Sequence, residues 1–314
     1  MPMLVIAGPT AGGKSALALA VAQAFDAVII NADSMQVYRD LRVLTARPDE
    51  AALALVPHRL YGVLDAAEIG SAAWWLEQAR QAVAQTLAQG RLPLLVGGSG
   101  LYLRALLHGL APVAEVPAPV RTAARAMMEE LGPEAFHQRL AARDPEMAAR
   151  LRPTDPQRLV RAWEVLEATG RSLAQWQRET PSGPAARVAE PSLVLLLMPP
   201  RSDLYAACDH RLSRMVEDGA LEEVRRLMHR DLTPTLPILK SLAVPELARH
   251  LRGEITLEHA VTLAQASTRH YAKRQCTWFR HQLPSAVTFE AQYSEALLPE
   301  IFTVIRRSLL TGNS

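Results

Sequence analysis

The sequence predicts an α/β fold built on a parallel sheet, interrupted by an all-helical insert and followed by a helical C-terminal region. Three observations predict it. Short, continuous apolar runs alternate with helix-periodic stretches as far as residue 108, the pattern of βα units. The first run, "MLVIA", leads directly into "GPTAGGKS" at residues 8–15, which holds the P-loop pattern G-x-x-x-x-G-K-[ST]. After "APVAEVPAPV" at 111–120, strand-like runs stop and resume only with "SLVLLLM" at 192–198.

The elements follow in order. "MLVIA" reads as a buried strand, and Leu17, Val21 and Phe25 then recur every four residues, the stripe of a helix packed on a sheet. "AVII" at 27–30 is a second strand, ending at "NADS". Ser71 is placed to cap a helix that Gly90 ends, with Leu76, Ala79, Val83 and Leu87 on one face. "LPLLV" at 92–96 is a further strand, turned by "GGSG" into the helix "LYLRALLHG". Residues 121–180 show helical periodicity and charge without strands. In "TDPQRLVRAWEVLEATG", Asp155 caps, Pro156 suits the first turn and Gly170 stops the helix. Leu159, Trp163 and Leu166 should face inward there, and Arg158 and Arg161 outward. The implied division is 1–112 for the first part of the core, 113–190 for the insert, and 191–314 for core completion and the helical tail.

Composition narrows the class. With 49% hydrophobic and 21% charged residues among 314, the chain can bury a full core. No apolar run is long enough to span a bilayer, and no leader pattern opens the chain. Two cysteines, Cys208 and Cys276, form no ligand cluster or disulfide framework, so a cytoplasmic home is expected. No apolar seam is evident, which favours a monomer. The net charge of +2 is uninformative, but its distribution is not. From His259 to Phe289 there is no Asp or Glu, while Arg269, Lys273, Arg274 and Arg280 fall inside that stretch. Arg269, Lys273 and Arg280 are helix-spaced, as are Arg274, Trp278 and His281, which fits a phosphate-contacting helix with aromatic company. Trp278 reads equally as core.

The loop at 8–15 carries chemistry because its glycines let backbone N–H groups converge on phosphate oxygens. The helix behind it presents its positive end, Lys14 reaches the terminal phosphate, and Ser15 can hold Mg²⁺. A nucleotide hydrolase would add an aspartate after a later strand, whereas "LPLLV" ends in "GGSG". That weakens an ATPase reading more than an ATP-binding kinase reading. Asp33 stands just past the second strand, where doubly wound folds place ligand-contacting residues. An aspartate there can equally close a turn through its own backbone.

Several stretches together resemble the tRNA dimethylallyltransferases, also called tRNA isopentenyltransferases. The family's "GPTASGK[TS]" is matched by "GPTAGGKS", and "DSMQVYRGMDIGTAKP" by "DSMQVYRDLRVLTARP" at 33–48. "VGGTGLYLRALLxGL" is matched by "VGGSGLYLRALLHGL" at 96–110, "DPxRxxRALEV" by "DPQRLVRAWEV", and "TRxxAKRQxTWFR" by "TRHYAKRQCTWFR" at 268–280.

The resemblance implies transfer of a dimethylallyl group from dimethylallyl diphosphate to the exocyclic amine of the adenosine 3′-adjacent to the anticodon in tRNA. It implies Asp33 as general base, with Lys14 and Ser99 beside the reacting groups. Gly8, Pro9, Thr10, Ala11, Gly12, Gly13, Lys14 and Ser15 would hold the diphosphate together with Arg211 and Arg214, and Mg²⁺ would sit on Ser15. Against tRNA it implies Asp33, Ser34, Met35, Gln36, Ser99, Arg121 and the stretch Gln157, Arg158, Leu159, Val160 and Arg161. Lys240, Arg269, Lys273, Arg274 and Arg280 complete that set. The rival readings are a small-metabolite kinase, which would consume ATP, and an RNA-binding module that has lost catalysis. The sequence departs from the family where "AVPE" at 243–246 replaces "GYKE" or "GYRQ". Leu44 also replaces a glycine, Arg47 a lysine, Gly12 a small polar residue and Ser99 a threonine.

Overall fold

The computed structural model describes residues 3–179 and 193–311. The chain divides into two compact units, residues 1–107 with 187–314 and residues 108–186. The expected boundary at 190/191 lies outside the described residues.

In the first unit the elements run β1 (Leu4–Ala7), α1 (Lys14–Ala24), β2 (Ala27–Asn31), α2 (Glu50–Leu55), β3 (His58–Arg59), α3 (Ala72–Ala88), β4 (Leu92–Gly97) and α4 (Gly100–His108). The second unit contributes α5 (Ala118–Arg143), α6 (Pro145–Arg150), α7 (Pro156–Thr169) and α8 (Leu173–Arg178). The first unit resumes with β5 (Leu193–Leu197), α9 (Arg201–Glu217), α10 (Ala220–Met228), α11 (Val244–Leu251), α12 (Leu257–Gln282), β6 (Val287–Phe289) and α13 (Leu298–Thr311).

The sheet has the order β3-β2-β4-β1-β5-β6, and all its pairs are parallel. Its central strands are buried throughout, which is why they read as continuous apolar runs rather than alternating ones. The edge strands β3 and β6, two and three residues long, carry no periodic signal and were not expected. One face packs Leu17 and Val21 of α1 with Ile301 and Ile305 of α13 against Leu4, Ile6 and Leu195. Phe25 meets Phe302 edge-to-face at 5.3 Å, closing the end of that layer.

The caps fall where the residue types place them. The Ser71 hydroxyl accepts from Trp74 N–H, and Asp155 accepts from Arg158 N–H. Gly170 ends α7 at φ 67°. The expected inward face of α7 shifts slightly: Leu159 and Trp163 are buried, but Val165 is buried where Leu166 is only half-buried. The core of the second unit gathers Leu159, Ala162 and Trp163 with Phe136 and Leu140 of α5. Helix α5 is broken at Gly132, whose φ of 73° precedes Pro133.

Candidate active site

The carboxyl ends of β1, β2 and β4 point their loops to one side, where open α/β sheets hold ligands. The loop after β1 is the glycine loop. Gly13 caps α1 at φ 88°, and a Cβ there would stand 2.5 Å from Tyr293 Cβ, so only glycine fits. Gly8 faces the Leu197 carbonyl equally closely. Between them the loop folds on itself through Gly12 N–H to Pro9 C=O at 3.2 Å, and Ala11 adopts φ 60°. Ser15 is exposed in the first turn of α1.

Lys14 curls back over the loop and donates to Pro9 C=O at 2.7 Å. Burial lowers its pKa to about 8; the Asp33 carboxylate opposes that shift and the Arg211 guanidinium adds to it. Arg211 of α9 donates to the Thr10 hydroxyl, and burial lowers its pKa as well. Two cations are thus held at the loop on backbone and hydroxyl acceptors, without a carboxylate salt bridge of their own among the described residues. An entering anion would restore to both the charge stabilisation that burial removes. Arg214, one turn further along α9, is exposed. It lines a cleft of about 550 Å³ with Arg42, Arg47, His210 and Arg211.

Asp33 follows β2 by two residues. Asn31, fully buried, anchors it from both sides: Oδ1 accepts Asp33 N–H at 2.8 Å and Nδ2 donates to Asp33 C=O at 2.9 Å. Asn31 is in turn held by Trp75, whose indole N–H donates to its carbonyl at 2.8 Å. Asp33 Oδ1 accepts Met35 N–H at 2.9 Å, so the turn-closing role is real. Among the described residues Oδ2 receives no hydrogen bond. The charge of Asp33 bears on Lys14 and Arg211 and also on Tyr61, Tyr102 and Tyr271. Burial raises the pKa of all three phenols, and the carboxylate raises it further. The turn-closing carboxylate therefore also lies within charge reach of both cations and all three phenols.

Ser99, 8% exposed, joins the two loops after β2 and β4: its hydroxyl accepts Ser34 N–H at 2.8 Å and donates to Ser34 Oγ at 3.1 Å. The stretch after Asp33 is otherwise turned inward. Met35 sulfur accepts from the Ser241 hydroxyl at 2.9 Å, and the Gln36 amide donates to Thr45 and Ala46 carbonyls at 2.8 and 3.0 Å.

The residues expected to face RNA separate into classes. Lys240, Lys273, Arg274 and Arg280 are exposed, whereas Arg269 is half-buried and fixed to both oxygens of Asp209 at 2.6 and 2.7 Å. On α7, Gln157, Arg158 and Arg161 are exposed and Val160 is half-buried. Leu159 is a correction: its side chain is wholly buried in the core of its unit, so it anchors the helix and presents nothing to a ligand. Arg121 is half-buried. At the "AVPE" departure, Ala243 caps α11 at φ 69°, a conformation natural to the glycine it replaces, and Glu246 accepts from Ser267 at 2.8 Å.

Sequence reasoning missed two groups. Glu223, 5% exposed, accepts the N–H groups of Arg42, Val43 and Leu44 at 2.9, 2.8 and 3.0 Å, fixing the loop that carries the cleft arginines. Gln275 bridges Thr10 and Gly98. Among the described residues no cluster of three or more His, Cys, Asp or Glu side chains could hold a metal. No helix among them is long and apolar enough to cross a membrane.

Fold and site together define an α/β protein with a glycine loop between its central strand and first helix, the arrangement that suits phosphate ligands. A family model described as IPP transferase matches residues 36–282. The chain is 55% identical over 293 residues to a tRNA dimethylallyltransferase of Rhodospirillum centenum, covering 92% of this chain and 91% of that one. It is 54% identical to that of Rhodospirillum rubrum, covering 100% and 97%. Among solved structures, the full-length tRNA isopentenylpyrophosphate transferase of Bacillus halodurans matches with a TM-score of 0.70 and 29% identity, over 99% and 97% of the two chains. A eukaryotic dimethylallyltransferase acting on tRNA matches with a TM-score of 0.78 and 25% identity, over 93% and 74%. The chain belongs to the tRNA dimethylallyltransferase family and is a prenyltransferase.

Proposed function

We propose that the protein transfers the dimethylallyl group of dimethylallyl diphosphate to the exocyclic amine of the adenosine 3′-adjacent to the anticodon in tRNA, releasing diphosphate. The observation that carries this reading is the charge coupling of Asp33, just past the end of β2, to Lys14 behind the loop of β1 and to Arg211 of α9. It puts a carboxylate base beside two cations suited to a leaving anion.

In this reading the amine nitrogen forms a bond to the first carbon of the prenyl group while that carbon's bond to the diphosphate oxygen breaks. The attacking amine's proton passes to Asp33, whose Oδ2 is turned from the Oδ1···Met35 bond. Negative charge gathers on the departing diphosphate, where Lys14, Arg211 and the N–H groups of the glycine loop stabilise it. The adenine must leave its stack to reach these groups. The exposed row Lys273, Arg274 and Arg280 is suited to the tRNA backbone.

The donor set suits Mg²⁺ shared with a substrate rather than caged by protein. Ser15 offers an exposed hydroxyl beside the loop, and such ions take one or two protein ligands plus phosphate oxygens. When bound, Mg²⁺ would neutralise diphosphate charge.

The test is incubation with unmodified tRNA and labelled dimethylallyl diphosphate, followed by location of the label. Label on the adenosine beside the anticodon, with diphosphate released and no ATP required, is the expected result. ATP consumption without label transfer would overturn the reading in favour of a kinase.

A further inference from the structure

Helix α12 turns one face toward the site and the other to solvent. The inward face carries Tyr271, Gln275 and Trp278, spaced four and three residues apart and so on one side of the helix. All three grip the turn after β4. Tyr271 lies beside Ser99, and Trp278 lies so close over Gly100 that a Cβ there would stand 2.7 Å from its indole. Gln275 does more than its neighbours. Its Oε1 accepts Thr10 N–H at 2.8 Å, and its Nε2 donates to Gly98 C=O at 2.8 Å. The amide is 7% exposed, and a Cβ on residue 98 would stand 2.5 Å from Nε2. A side chain at residue 98 would push the Gln275 amide from its present place.

Strands β1 and β4 are paired through Ala7 and Gly97, and there the ladder ends. Beyond it, the loop at 8–15 and the turn at 98–100 need another link to hold their spacing. Gln275 supplies it from a third element, 265 residues from one partner and 177 from the other. The two loops serve opposite ends of the transfer proposed above. One faces the leaving diphosphate; the other, through Ser99 and Ser34, fixes the backbone next to the base Asp33. In-line displacement depends on those ends being aligned, and a misplacement of about 1 Å can cost 10²-fold. We infer that Gln275 is a positioning residue, which sets the glycine loop against the Ser99 turn and so aligns diphosphate with the attacking amine. The inference rests on the prenyl-transfer reading.

The test uses Gln275→Met, which keeps length and bulk and loses both hydrogen bonds, and Gln275→Glu, which keeps only the acceptor toward Thr10. Single-turnover transfer at saturating tRNA and dimethylallyl diphosphate is measured alongside both KM values, a thermal melt and binding of inorganic pyrophosphate. The Met variant should lose about 10–100-fold in saturated rate, with the KM for tRNA within roughly twofold of wild type. The Glu variant should fall between. A Met variant that transfers within roughly twofold of wild type at saturation would overturn the inference, because a merely packed amide moves the melt and not the rate. If that variant does not fold, the same criterion applies to the Glu variant. If the wild type itself transfers no label, the prenyl-transfer reading fails separately. Pyrophosphate binding then decides: unchanged affinity in the Met variant overturns the bridge, and a loss of about tenfold supports it.

Discussion

The arginines of the helical unit and the cations of the glycine loop differ in what they are given as partners. In residues 108–186, Arg143 pairs with Glu167 at 2.5 Å, Arg150 with Glu146 at 2.6 Å, Arg158 with Asp155 at 3.1 Å and Arg161 with Glu164 at 3.4 Å. Arg143 also lies over the Trp163 ring at 4.8 Å. At the loop, Lys14 has a carbonyl and Arg211 a hydroxyl, and the carboxylate nearby is held by its own turn. A paired arginine stabilises its surroundings by little and needs nothing more. A half-buried cation without a carboxylate pair is only partly compensated, here by the charge of Asp33, and gains more when an anion arrives. Helix α12 follows the second pattern on its surface, because Lys273, Arg274 and Arg280 enter no ion pair among the described residues. Under the proposed function, the contrast would separate cations that hold the fold from cations kept for a ligand.

The largest expected effect comes from the carboxylate at the centre of the loop cluster. Asp33→Asn keeps an acceptor for Met35 N–H and so should melt near wild type. It cannot take the amine proton, so single-turnover transfer should fall about 10²–10⁴-fold with both substrates still bound. Transfer within a few-fold of wild type, with an unchanged melt, would leave Asp33 only its turn. Next comes Lys14→Ala, which removes one of the two cations without a carboxylate pair. By analogy with a lost oxyanion donor it should cost roughly 2–4 kcal/mol of transition-state stabilisation, read as kcat/KM for the prenyl donor. Near-normal kcat/KM would show that the loop cation is as incidental as a surface pair.

The contrast also has a pH signature. Lys14 has a pKa of about 8 in the ligand-free protein, and a bound polyanion stabilises its charged form. Anion binding is therefore linked to a protonated Lys14. Affinity for pyrophosphate should be full below pH 8 and decline as pH rises through it, by up to about tenfold per unit. Lys14→Arg stays charged throughout and should remove that component. Calorimetric titration of both proteins across pH 7–9.5 checks it; matching slopes would mean that Lys14 does not titrate at the site.

Much of this was readable from residue types at short spacing. Gly13, Ser71, Asp155 and Gly170 announce their turns and caps because each acts on a backbone group within a few residues. The buried strands announce themselves by apolar continuity. Asp33 remained ambiguous because the same carboxylate does close its turn; its charge coupling to Lys14 and Arg211 is what supports the proposed further role. Gln275 and Glu223 were illegible for a different reason. Their partners lie 177 to 265 residues away: the pattern "TRxxAKRQxTWFR" marks Gln275 without saying what it touches, and nothing local distinguishes a glutamate in "LEEV" from a solvated one. Leu159 misled because a motif shared with RNA-contacting residues runs through a buried helical position. A motif marks a segment, whereas burial decides which of its side chains can reach a ligand.

The smallest effect tests the surface half of the contrast. Arg158 and Arg161 project from α7 but already pair with Asp155 and Glu164, while Lys273, Arg274 and Arg280 on α12 are exposed and in no ion pair among the described residues. An arginine that must leave a carboxylate before meeting a phosphate gains less from the exchange. The triple change Lys273→Ala, Arg274→Ala and Arg280→Ala should therefore weaken tRNA binding more than Arg158→Ala with Arg161→Ala. Each lost phosphate contact lowers the slope of log affinity against log salt by about 0.7–0.9, so the triple variant should lose roughly two units or more. The double variant should lose less than about one unit and leave prenyl-donor affinity intact. The measurement is tRNA binding at several salt concentrations for the three proteins. Equal slopes for wild type and the triple variant would mean that the exposed row on α12 is only a solvated face. A larger loss in the double variant would mean that ion pairing within the helical unit does not withhold its arginines from RNA. In that case partner identity alone could not separate structural from ligand-binding cations in this fold.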